Sequence, residues 1–192
     1  MELEFIISSK YWIIKPCFSK TVYDENLMSA WNNTMKDILK LNHTHHPILI
    51  IAPNPLITLE DVLSNAEIIK YDNNVKYSIS ILHPENEHDK ELLKIAVDSV
   101  EFECAALWFA VYDQSTPISM NFKLNILKVI NESNHFISLS GINVQLLACV
   151  ADGTELLWLN PGSKISIDEI LNLLKSYEWK VSIKHNNKQI FI

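Results

Sequence analysis

His43-Thr44-His45-His46 is the densest run of metal-capable side chains in the chain. His43 and His45 stand two apart, and on an extended backbone such alternate imidazoles point to one side, where they can share a zinc ion. The competing reading is a helix end. The run follows Lys40-Leu41-Asn42, and protonated histidines are favoured at the negative end of a helix dipole. Second in interest is Ala52-Pro53-Asn54-Pro55, which leaves the apolar run Ile48-Leu49-Ile50-Ile51. Ligands of open α/β sheets gather beyond the carboxyl ends of strands, so His43, His45 and Asn54 are the groups an enzyme of this chain would use there.

The opening of the histidine run resembles the start of the HxHxDH motif of the metallo-β-lactamases, but Pro47 stands where that motif would continue and no aspartate follows. No second group with metal-ligand spacing is recognisable downstream, so no metal is assigned. Phosphate cradles need glycine-rich turns whose N–H groups reach the ligand. Here all three glycines lie beyond residue 140, and Pro53 and Pro55 carry no N–H. No cofactor is expected. Ser138-Leu139-Ser140-Gly141 lacks the G-x-S-x-G elbow of a serine nucleophile. Cys104 and Cys149 sit in apolar runs that disfavour a thiolate.

The strongest positive signal is electrostatic. Between Pro84 and Glu103 stand Glu85, Glu87, Asp89, Glu91, Asp98, Glu101 and Glu103 against Lys90 and Lys94. Glu87, Glu91, Lys94, Asp98 and Glu101 follow a 4-3-4-3 spacing, which places them along one stripe of a helix. A solvated face is the ordinary reading of such a stripe. As a docking surface it would steer a basic protein and repel acidic ones. Lys180, Lys184 and Lys188 in the last segment polarise the charge.

Composition narrows the choice. The chain has 192 residues and no arginine; its sixteen basic residues are all lysine, against twenty-three acidic ones, for a formal charge of −7. Arginine is the usual two-pronged grip on phosphate and carboxylate, and nucleic-acid binding depends on clustered basic residues, so a nucleic-acid partner is not expected. The acidic start Met1-Glu2-Leu3-Glu4-Phe5 lacks the basic, then apolar, pattern of a secretory signal, and the longest apolar run, Cys104–Tyr112, is too short to span a membrane. A cytoplasmic protein without membrane attachment is expected, with Cys17, Cys104 and Cys149 as buried free thiols.

The elements that must position these groups can be read from periodicity. Leu3–Ile7 and Tyr11–Lys15 read as a hairpin. A helix capped by Asp24 runs to about Leu41, with Leu27, Trp31, Met35, Ile38 and Leu39 at helical spacing. The run 48–51 reads as a strand buried on both faces. Thr58–Lys70 reads as a helix, Lys76–Leu82 as a half-buried strand, and a long helix begins near His88. Residues 104–112 are apolar all round; the alanines favour helix over a central strand. Thr116-Pro117 predicts the start of another helix, ending near Ser133. Val144–Val150 and Glu155–Leu159 flank Asp152-Gly153, a strong hairpin signal, and a helix over 167–177 precedes a final hairpin, Trp179–Lys184 with Lys188–Ile192. Trp12, Trp31, Trp108, Trp158 and Trp179 read mainly as core.

Together these predict one α/β domain over residues 1–192: a central mixed sheet with the buried strand 48–51, four to five helices, and C-terminal β-hairpins. The function expected is non-enzymatic: an acidic protein-binding module of the immunity or antitoxin type, occluding a basic partner such as a toxin nuclease through Glu85, Glu87, Glu91, Asp98 and Glu101. The alternatives are a small hydrolase or transferase at the 52–55 loop, and an adaptor subunit of a secretion or phage assembly, which would carry a large exposed apolar patch.

Overall fold

A computed structural model of the chain describes residues 1–17, 25–43, 46–54, 64–72, 74–99, 107–131, 144–150, 154–160, 166–185 and 188–191. In chain order these form β1 (Glu2–Ile7), β2 (Tyr11–Pro16), α1 (Glu25–His43), β3 (Ile48–Pro53), β4 (Glu67–Lys70), β5 (Lys76–Leu82), α2 (Glu87–Ser99) and β6 (Trp108–Tyr112). They continue with α3 (Met120–Asn131), β7 (Val144–Val150), β8 (Glu155–Leu159), α4 (Ile167–Ser176), β9 (Lys180–His185) and β10 (Lys188–Phe191).

All ten strands belong to one mixed sheet of order β10-β9-β1-β2-β8-β7-β6-β3-β5-β4. Every neighbouring pair is antiparallel except β1 with β9, which run parallel with Phe5 beside Ile183. The strand pairs of the three predicted hairpins form, β1 with β2, β7 with β8 and β9 with β10; residues 151–153 and 186–187 lie outside the described set. Ser8, Ser9 and Lys10 close the first, with Ser8 N–H donating to Tyr11 O at 2.9 Å. Alternation then sorts β1: Leu3 and Phe5 turn to one face and Glu4 to the other.

Helices lie on both faces. On one, α1 (Trp31, Met35, Ile38), α2 (Leu93, Ala96, Val97) and α4 (Ile170, Leu174) pack over Phe5, Ile14, Ile50, Phe109, Leu147 and Trp158. On the other, α3 places Phe122, Ile126 and Leu127 against Leu49, Ile51, Ile79, Trp108, Ala110 and Leu146. β3 therefore has core on both sides, which is why its sequence is an unbroken apolar run. Truncating such a side chain costs about 2–5 kcal/mol. All five tryptophans are buried.

Five sequence expectations are corrected. Lys76–Leu82, expected to be half-buried, instead buries Ser78 and Ser80 together with Tyr77 and Ile79 and exposes Ile81, because core lies on both faces of the sheet there. Residues 108–112 form a strand, not a helix: β6 lies between β3 and β7, buried at every position. A strand covered on both faces loses its period of two, so periodicity had nothing to report there. Glu67–Lys70, expected as the end of a helix, pairs with β5 as strand β4; residues 58–63 lie outside the described set. The third helix begins at Met120, not at Thr116-Pro117. Ser119 caps it, its Oγ accepting from Phe122 N–H at 3.2 Å, while Thr116 closes a turn onto Asp113 O at 2.8 Å. Cys17 is exposed beyond the end of β2, whereas Cys149 is buried as expected; Cys104 and Asp24 lie outside the described residues.

Polar links hold the layers in register. Ser166 and Glu169 form a capping box at the start of α4. Its end is a Schellman motif: Trp179 N–H donates to Leu174 O at 3.2 Å and Glu178 N–H to Lys175 O at 2.9 Å. Glu178 takes φ 60, the left-handed conformation, and so turns Trp179 into the core. There the indole Nε1 donates to Thr34 Oγ1 at 2.8 Å, and the rings of Trp31 and Trp179 meet edge to face at 6.5 Å. Tyr177 Oη donates to Asp37 Oδ2 at 2.5 Å; burial, with Asp37 adding to it, pushes this phenol up to about 12. On the opposite face the buried Lys123 is paired with Glu67, and Tyr77 Oη donates to Asn131 Oδ1 at 2.9 Å, so α3 is pinned to β4 and β5.

Candidate functional site: the acidic helix

Helix α2 begins where β5 ends. After Leu82 the chain turns through His83-Pro84-Glu85-Asn86, with Asn86 N–H donating to His83 O at 3.1 Å. Asn86 is the cap: its Oδ1 accepts from His88 N–H at 2.9 Å, and its carbonyl accepts from Lys90 N–H at 3.1 Å. Asp89 Oδ2 accepts from His83 N–H at 2.8 Å and so ties the turn to the helix. Glu87 and Asp89 occupy the first turn, where carboxylates complement the positive end of the helix dipole. Part of the acidity read from the sequence therefore has a structural cause.

The remaining acids divide by position. Leu93, Ala96 and Val97 face the core, which fixes the opposite side of the helix toward solvent. There Glu87 and Glu91 are exposed, with Glu85 exposed on the turn before them. Glu85 Oε1 accepts from Gln114 Nε2 at 3.0 Å, linking this turn to the segment after β6, and Lys90 pairs with Glu87. Asp98 differs: Lys36 Nζ of α1, itself 13% exposed, lies 3.7 Å from its Oδ1. This carboxylate joins two helices. Glu101 lies outside the described residues. Three of the five expected contact residues thus share one exposed turn-and-helix segment, and the fourth, Asp98, is half-exposed while paired with Lys36.

His46 and Asn54 flank β3, which takes in Ala52 and Pro53 of the expected 52–55 loop; residues 44, 45 and 55 lie outside the described set. Six residues at about 3.3 Å each put roughly 20 Å of strand between them. His46 Nδ1 lies 3.9 Å from Asp113 Oδ1, beside the Tyr112 N–H to Pro47 O hydrogen bond of 3.2 Å. His43 closes α1. At the other end Asn54 Nδ2 donates to Ser78 Oγ at 2.7 Å and Asn54 N–H to Lys76 O at 2.9 Å. The geometry does not bring His46 and Asn54 to a common centre. Among the described residues no group of three or more His, Cys, Asp or Glu gathers as metal ligands would.

One charged cluster escaped the sequence reading. On the face of β1 opposite Phe5, Glu4 pairs with Lys184 of β9 and with Lys15 of β2, whose Nζ is 3.5 Å away; Lys15 Nζ also lies 3.3 Å from Glu155 Oε1 of β8. The four alternate in sign across four strands. The hydrogen bond from Lys184 and the positive charges beside it hold the Glu4 carboxyl below its ordinary value of 4.5, against the opposing effect of burial. Lys184 is thus offset by Glu4, leaving Lys180 exposed in the same strand. Cys17 stands near this cluster; desolvation first, then Glu4 and Glu2, raise its thiol above the ordinary 9.0. Alternation of Glu2 and Glu4 along β1 was the available signal, but their partners lie in other strands.

The exposed large apolar residues Met1, Ile68, Val75, Ile81, Ile95 and Met120 are distributed over different elements. No helix among the described residues is long and apolar enough to cross a membrane. Compared with known protein families, curated proteins and solved structures, the chain matches none.

Proposed function

We propose that this chain is a non-enzymatic protein-binding module, an acidic inhibitor of the immunity or antitoxin type that covers a basic partner such as a toxin nuclease in the cytoplasm. The observation that supports this reading best is the exposed acidic segment Glu85, Glu87 and Glu91, held on a helix whose other face is anchored by Leu93, Ala96 and Val97. A capped helix packed on the core presents its charges with little backbone ordering cost at the moment of encounter, so more of the Coulomb attraction appears as association rate. The carboxylates would stand in for the phosphates of the partner's own substrate. A formal charge of −7 adds a favourable long-range field toward a cationic protein.

The test uses the product of the adjacent reading frame as the partner. Co-expression should relieve its toxicity, and the purified pair should associate faster at low salt than at high salt. Glu87→Lys with Glu91→Lys, shown by circular dichroism to remain folded, should slow association about tenfold or more at low ionic strength. Unchanged binding by the double reversal, or hydrogen-exchange protection confined to surfaces away from α2, would refute the proposed interface.

A further inference from the structure

We draw no further inference here: the strongest candidate, the outer edge of the sheet at β4 with Ile68 60% exposed, carries nothing because nothing in the structure shows what pairs with that edge or covers that side chain.

Discussion

Thr34→Val probes the polar link that joins α1 to the C-terminal strands. Thr34 is 0% and Trp179 3% exposed; the Trp179 indole donates to Thr34 Oγ1 at 2.8 Å, and that hydroxyl donates to Ala30 O at 2.8 Å. Valine keeps the shape and the β-branch, has a similar helix propensity, and puts a methyl group where the hydroxyl was. The indole N–H then stays buried without an acceptor, which costs about 1–3 kcal/mol. The added methyl returns part of that, at about 0.8 kcal/mol per buried carbon. The net expected loss is about 0.2–2.2 kcal/mol, or a fall in Tm of up to about 9 °C for a domain of this size. Guanidinium denaturation followed by far-ultraviolet circular dichroism, with calorimetry for Tm, measures it. Trp179→Phe supplies the control: with the donor already gone, Thr34→Val should cost little. The two positions should therefore show a coupling energy of about 1 kcal/mol or more. A Thr34→Val protein as stable as its parent, or an equal loss in the Trp179→Phe background, refutes the assignment of that hydrogen bond.

Glu178→Gly should stabilise by about 0.5–1 kcal/mol, because Glu178 sits at φ 60, where a Cβ is unfavourable and glycine is not; a destabilised variant in the same denaturation assay would count against the Schellman geometry. Glu4→Gln should lower stability at pH 7 and lose that effect in acid. The folded-state carboxyl is held below 4.5, so its contribution is present above the unfolded value and disappears as pH falls through the folded one. A stability difference that is constant from pH 7 to pH 3 would contradict the role given to Lys184 and Lys15. With a thiol reagent, Cys17 should be modified in the native protein, slowly for an exposed thiol because its pKa is raised, while Cys149 should react only on unfolding. Peptide mapping by mass spectrometry distinguishes the two, and native labelling of Cys149 would show that the core around Met35 is open.

Legibility followed the range of the forces involved. Two apolar runs about Asp152-Gly153 signalled the antiparallel pair β7 and β8, and the alternation of 76–82 signalled β5 as a strand, although its burial is not one-sided: Ser78 and Ser80 are buried with Tyr77 and Ile79, and Ile81 is exposed. Leu93, Ala96 and Val97 recur at helical spacing, so the inward face of α2 and the outward direction of Glu87 and Glu91 could be read directly. β6 failed the same test since its two faces are equally apolar. β4 failed because four residues, Glu67 to Lys70, are too few to show a period, and they become a strand only by pairing with β5. Asp98 fitted the acidic stripe by spacing alone; its engagement by Lys36 depends on how α1 and α2 cross.

Taken alone, the amino-acid order determined most of the local elements with one apolar and one polar side, the acidic character of the segment 85–98, the low glycine content and the absence of arginine. Tertiary structure decided the rest: the parallel pairing of β1 with β9, the distribution of helices over two faces, the separation of His46 from Asn54 by the length of β3, and the division of the acids into caps, ion pairs and exposed charges. These depend on contacts between residues far apart in the chain. A carboxylate's partner is set by where another element packs, and no spacing along its own helix or strand encodes that.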